Sequence, residues 1–175
     1  MKINFLKPTL AFALLISCSL TAMAQKKGKK IPKVLATGEV FECSIQPKVE
    51  NGLQNTLRLV ASKRTDLAVR LIDKKTEECI RYAFINQGEK YDITGIPYGK
   101  YYVKVGLGKD WAFTDTTVKC EGGFKETPLY KKVNNTFNFP QKKNQVNMYE
   151  LDFDLITTKG KQTNEELISE KEFQK

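Results

Sequence analysis

The sequence predicts an all-β domain, a single antiparallel β-sandwich of about seven to nine strands, preceded by a signal peptide. Three observations predict it. Short segments alternate apolar and polar residues with period two, the pattern of strands with one buried face. Turn-forming residues punctuate them at Asn51-Gly52, Asp73-Lys74-Lys75-Thr76, Asn86-Gln87-Gly88-Glu89 and Pro97-Tyr98-Gly99. Val, Ile, Thr, Tyr and Phe fill the segments, and no helical stripe appears before the C-terminal end. The 175 residues include 11 Gly and 6 Pro, too few for collagen or a low-complexity chain, and 41% hydrophobic residues, enough to form a core. No repeat of solenoid length is visible.

In chain order, residues 1–24 read as the signal peptide. Lys2 and Lys7 make a basic start, Leu10 to Ala24 is almost wholly apolar, and Ala22-Met23-Ala24 fits a signal-peptidase site. The apolar run is shorter than the ~20 residues that a membrane span needs. A second reading attaches to Leu15-Ile16-Ser17-Cys18, which resembles a bacterial lipobox with Cys18 as the lipidated residue. Cleavage after Ala24 is the preferred expectation, because the apolar stretch continues past Cys18.

Residues 25–36 read as a Lys-rich flexible leader with Lys26, Lys27, Lys29, Lys30 and Lys33. The formal charge of +9 lies mostly in the signal and this leader, and the body after Lys33 has 22 bases against 20 acids. The leader reads as a solubilising spacer, with weak contact to an anionic membrane surface as its sharper alternative. No basic–aromatic motif supports nucleic-acid binding.

Residues 37–158 carry the sandwich. Alternation marks strands at Phe41–Ile45, Leu57–Leu59, Leu67–Ile72, Ile80–Phe84, Tyr101–Leu107 and Tyr149–Leu155. Residues 159–175 hold few apolar side chains and read as a weakly ordered C-terminal tail.

The stretch Gly88-Glu89-Lys90-Tyr91-Asp92-Ile93-Thr94-Gly95-Ile96-Pro97-Tyr98-Gly99-Lys100-Tyr101-Tyr102-Val103-Lys104-Val105 carries a resemblance. A strand runs into Ile-Pro-x-Gly, and Tyr-x-Val-x-Val follows. This resembles the prealbumin-like sandwiches, the carboxypeptidase-regulatory-like and Cna-B-like modules of exported proteins. The wider stretch from Asp66 to Trp111 also resembles small exported bacterial proteins that place one Cys before an Arg-Tyr strand, as at Cys79, and another near Cys120. The resemblance covers about a third of the chain after the signal. It implies a fold and leaves activity open, because such modules serve many roles.

Cys43, Cys79 and Cys120 cannot all pair within one chain. Export favours a disulfide. Cys79 opens one strand and Cys120 closes another, so Cys79–Cys120 is the expected bridge, closing a loop of about 40 residues and stabilising by about 3–4 kcal/mol in the chain-entropy model. Cys43 sits in phase with Phe41 and Ile45 and reads as a small buried side chain.

The complete absence of His removes Ser-His-Asp triads, Cys-His dyads and His-ligated zinc. Glu150, Asp152 and Asp154 share one strand face, but ~6.5–7 Å between successive positions is too wide for all three to grip one Ca²⁺. They read as a solvated face paired with basic neighbours, and neither a metal nor a cofactor is expected. Gly106-x-Gly108 lacks the strand–helix context of a phosphate loop. Asn134-Asn135-Thr136 fits a glycosylation sequon only in a eukaryotic secretory route. Tyr98, Tyr102, Trp111 and Phe113 are the candidate binding residues, an aromatic platform for sugar or peptide. The alternative is that Trp111, the only Trp, covers one end of the core. The resulting expectation is a non-enzymatic exported protein, periplasmic, outer-membrane-associated or extracellular, acting by protein or glycan contact at the bacterial cell envelope. A lipid-anchored accessory or structural subunit of an envelope complex is the alternative, and a carboxylate-based hydrolase ranks last.

Overall fold

The computed structural model describes residues 30–32, 34–40, 45–114, 122–141, 146–153 and 165–175. Residues 1–24, Cys43, Cys120 and the expected strand residues Phe41–Ser44 lie outside them. Nine strands and one short helix are described: β1 (Lys30–Pro32), β2 (Thr56–Val60), β3 (Asp66–Asp73), β4 (Cys79–Ile85), β5 (Lys90–Ile93), β6 (Gly99–Thr114), β7 (Gly122–Phe139), β8 (Met148–Asp152), β9 (Glu165–Leu167) and α1 (Glu170–Phe173).

They form two sheets. The larger runs β4-β3-β6-β7-β9, with β1 added beside the end of β6, and the smaller runs β5-β2-β8. Every pairing is antiparallel except β2 with β8, which is parallel. The expected all-β, two-sheet architecture is therefore present. The alternating strands turn Leu57, Leu59, Ile93 and Leu151 of the smaller sheet toward Leu67, Val69, Leu71, Val103, Val105 and Val133 of the larger one. Buried Asn55 ties the entry of β2 to both flanks, donating to the Ile96 carbonyl (2.8 Å) and accepting from Asn147 Nδ2 (2.9 Å). A buried polar side chain stays there because its partners are supplied.

The larger sheet has a second apolar face. Ala68, Tyr82, Phe84, Trp111, Phe124 and Tyr130 line it, and Leu35 and Phe173 cover it. Parity explains how one strand serves both faces. Tyr101, Val103, Val105 and Leu107 enter the inter-sheet core, while the β6–β7 register shifts between Leu107 and Lys109. Between the pairs that Leu107 and Lys109 make, β6 advances two positions and β7 three, and such an irregularity changes which positions face which side. Asp110, with φ of 54°, carries part of the distortion. Trp111 consequently joins the second face.

Two expected boundaries move. The sequence reads residues 30–36 as part of a flexible leader, yet β1 pairs with Ala112–Thr114 and Leu35 is buried. The sequence reads residues 165–175 as part of a weakly ordered tail, yet β9 pairs with Lys131–Val133 and Phe173 is 0% exposed. A four-residue helix has too few internal hydrogen bonds to persist alone. Here Ser169 caps its start by accepting from the Glu172 N–H (3.1 Å). Its last carbonyls, on Glu172 and Phe173, accept from Lys104 Nζ (2.9 Å) and Arg70 Nη1 (2.6 Å).

Candidate functional site

The four aromatic candidates do not assemble into one surface. Trp111 is 3% exposed, its ring centroid 5.0 Å from Phe124 and 6.1 Å from Phe84. Half-buried Phe113 meets it edge-on at 6.5 Å. Tyr102 lies nine positions earlier on the same strand, ~30 Å away at strand rise, and Tyr98 is half-buried in the turn before β6. Trp111 is thus a core residue, and Tyr102 borders a concavity.

That concavity is a polar pocket of about 130 Å³ lined by Lys74, Glu77, Tyr102, Lys132 and Asn134. Three elements build it. The turn between β3 and β4 supplies Lys74 and Glu77. Asp73 Oδ1 accepts from the Lys75 and Thr76 N–H groups (2.7 and 3.3 Å), and the Asp73 carbonyl accepts from the Glu77 N–H (2.8 Å). This Asx turn leaves Glu77 at φ of 58°, an unusual position for a side chain that lacks Gly's freedom. The Lys74 N–H donates to the Lys100 carbonyl (2.9 Å) and fixes the turn to β6. Tyr102 of β6 forms the floor, and β7 contributes Lys132 and Asn134 as the far wall.

The Tyr102 hydroxyl donates to Glu77 Oε2 at 2.5 Å. Burial, followed by this bond to a carboxylate, pushes the phenol well above its ordinary value, so it remains a donor at neutral pH. Lys132 Nζ rests 4.7 Å from the centre of the Tyr102 ring, a cation–π contact. Lys74 Nζ donates to Thr136 Oγ1 (3.0 Å) at the rim.

Arg70, Lys104 and the pocket's Lys132 stand in register on β3, β6 and β7. Arg70 spends its charge on the Phe173 carbonyl and on the rings of Tyr82 and Phe173, 5.0 and 5.8 Å away. Lys104 spends its own on the Glu172 carbonyl and carboxylate. Lys104, with its hydrogen bond to the same group, holds the Glu172 carboxyl below its ordinary value.

Sequence reasoning missed Lys74, Glu77, Lys132 and Asn134. The turn Asp73-Lys74-Lys75-Thr76 is legible in the sequence, but its meeting with β7 depends on pairings between distant residues. Of the three acids expected on one strand face, Glu150 and Asp152 lie on β8 and Asp154 lies outside the described residues. Glu150 stands opposite Arg58, which forms a two-pronged pair with Asp92 (2.8 and 2.7 Å). No group of three potential metal ligands occurs among the described residues. Of the expected Cys79–Cys120 bridge, only Cys79 is among them, its Sγ 3.1 Å from the Arg81 carbonyl, and no disulfide joins two described residues. No helix among the described residues is long and apolar enough to cross a membrane.

Comparison with protein-family models, curated proteins and solved structures returns no match.

Proposed function

We propose that this chain is a non-catalytic β-sandwich protein that acts by protein or glycan contact at the bacterial cell envelope, exported by means of residues 1–24. The observation that carries the reading is the character of the pocket. Its lining offers two ammoniums, one amide, one phenol and a single carboxylate. These are groups that hold and orient a polar ligand. A glycosidase of the common kind requires two carboxyl groups across the scissile bond, and Glu77 is the pocket's only acid. A prealbumin-like, carboxypeptidase-regulatory-like identity belongs to the same proposal. Its support is the Ile96-Pro97-Tyr98-Gly99 turn leading directly into β6.

The alternative, a lipid-anchored accessory or structural subunit, draws on Leu15-Ile16-Ser17-Cys18. Crosslinking in intact cells, followed by affinity capture from envelope fractions, tests the main reading. The expected result is one saturable envelope partner, protein or glycan, whose capture drops when Lys132 is replaced by Gln. Recovery of the chain solely from the cytoplasm refutes it. Fatty-acid labelling that is lost in Cys18→Ala would select the anchored form.

A further inference from the structure

Building on the contact reading, we propose that the Lys74–Glu77–Tyr102–Lys132–Asn134 pocket is a binding site for a saccharide-borne carboxylate, the acid group of a hexuronate residue.

The argument starts from the row of three cations. Side chains directly opposite on neighbouring strands lie close enough that like charges are destabilising. Arg70, Lys104 and Lys132 occupy such a row on one sheet face. Two of the three are compensated by the C-terminal segment: Arg70 by a carbonyl, Lys104 by a carbonyl and a carboxylate. The third is different. Glu166 stands across from Lys132 on β9, yet the Lys132 ammonium turns over the Tyr102 ring, toward the pocket. No hydrogen bond or ion pair engages it among the described residues. Lys74 adds a second ammonium to the lining, with one neutral hydroxyl, that of Thr136, as its partner. An oxyanion between Lys74 and Lys132 meets two donors and relieves the repulsion along the row.

Glu77 selects among oxyanions. One of its oxygens accepts from Tyr102, and its charge lies on the pocket wall. A free phosphate dianion placed there is repelled. A singly charged sugar carboxylate brings hydroxyl donors with it, and these satisfy Glu77. The Asn134 amide can both donate to and accept from the same ring. The volume of about 130 Å³ accommodates the acid end of one sugar, and the opening toward solvent leaves room for the rest of the chain.

The test is calorimetric titration of the full-length protein with tri-galacturonate, the neutral galactose trisaccharide, sulfate and phosphate. The expected result is saturable binding of tri-galacturonate, at least tenfold tighter than that of the neutral sugar or of either inorganic anion. Lys132→Gln is expected to weaken it at least tenfold, with an unchanged melting temperature. Asn134→Ala, at an exposed position, serves as the second variant and should weaken it by a smaller factor. Glu77→Gln should weaken tri-galacturonate while strengthening phosphate.

Failure of tri-galacturonate to saturate, or equal binding by wild type and Lys132→Gln, overturns the proposal. Sulfate or phosphate binding as tightly as the uronate overturns its saccharide part, and leaves a site for free oxyanions. Parallel assay of reducing-end release separates the two readings. Binding with turnover refutes the non-catalytic function and keeps the site. Envelope capture that persists without uronate binding does the reverse.

Discussion

Replacing Phe173 by Ala removes the anchor of the C-terminal segment. The side chain is fully buried, with ring contacts to Tyr130 at 5.1 Å and Tyr82 at 6.2 Å. Truncating a core Phe costs about 3–5 kcal/mol from lost transfer and the cavity left behind. Much of the aromatic pairing, about 0.5–1.5 kcal/mol for a good pair, is lost with it. The backbone adds to the effect. If α1 lifts away, Arg70, only 2% exposed, loses the Phe173 carbonyl, and Lys104 loses the Glu172 carbonyl. A buried cation without its acceptor is costly. We therefore expect Phe173→Ala to lower global stability by about 3–5 kcal/mol in urea unfolding. Hydrogen exchange should accelerate at the Ile168 amide, which donates to the Tyr130 carbonyl, and across Arg70–Ile72. Lys171→Ala, on the exposed side of the same helix, should stay within about 0.5 kcal/mol. A Phe173→Ala loss below about 1 kcal/mol, with protection around Arg70 unchanged, would refute the reasoning that the segment is integral to the fold.

Trp111→Ala should unfold the protein at markedly lower denaturant, because it opens a cavity beside Phe84 and Phe124. In the native protein the single Trp should emit as a buried indole, and a water-exposed spectrum would contradict its placement. Gly108→Ala sets a Cβ 2.5 Å from the Phe124 Cβ and Cγ and 3.0 Å from the Glu126 carbonyl. Overpacking of this kind costs about 1–3 kcal/mol, measurable by thermal or urea unfolding. The Arg58 hydrogen bonds hold the Asp92 carboxyl below its ordinary value. A group depressed in the folded state contributes fully above its unfolded value of about 4 and loses that contribution as pH falls through the folded value. Melting temperature should therefore fall more steeply with acid in the wild type than in Asp92→Asn.

Parts of this architecture are legible locally. Leu57 and Leu59 alternate cleanly, because β2 buries one face in the inter-sheet core, and the apolar positions of Leu67–Ile72 and Tyr101–Leu107 at odd numbers mark the face that enters the same core. The remainder depends on partners far away in sequence. Gly108-Lys109-Asp110 has the composition of a loop, and only pairing with β7 makes it part of a continuing strand. β7 itself contains Pro128 and the Asn134-Asn135 pair, poor strand formers, and its long exposed stretches hide any alternation. The larger sheet also buries residues on both faces, so Ala68 and Arg70, the positions of β3 turned away from the inter-sheet core, lie in a second buried layer. Phe173 is an isolated aromatic in a charged segment. Its partner Arg70 lies 103 positions earlier, beyond any periodicity argument. The pocket is illegible for the same reason, since one turn and two strands converge on it only after the sheet forms.

The parallel pairing of β2 with β8 has a consequence for how the chain reaches its native state. Asn55 and Asn147, at the entry to that pair, are 92 positions apart. At the usual pace of synthesis, β2 waits about 5–20 s for its second neighbour to be made. Pairings between such distant segments also form slowly, on a scale of about milliseconds to seconds. Throughout that interval one edge of β2 is unclaimed, with Leu57 and Leu59 not yet sealed from below. Substitutions in β8 should accordingly reduce the fraction of chains that mature more than they weaken the finished molecule, making this short strand a determinant of yield.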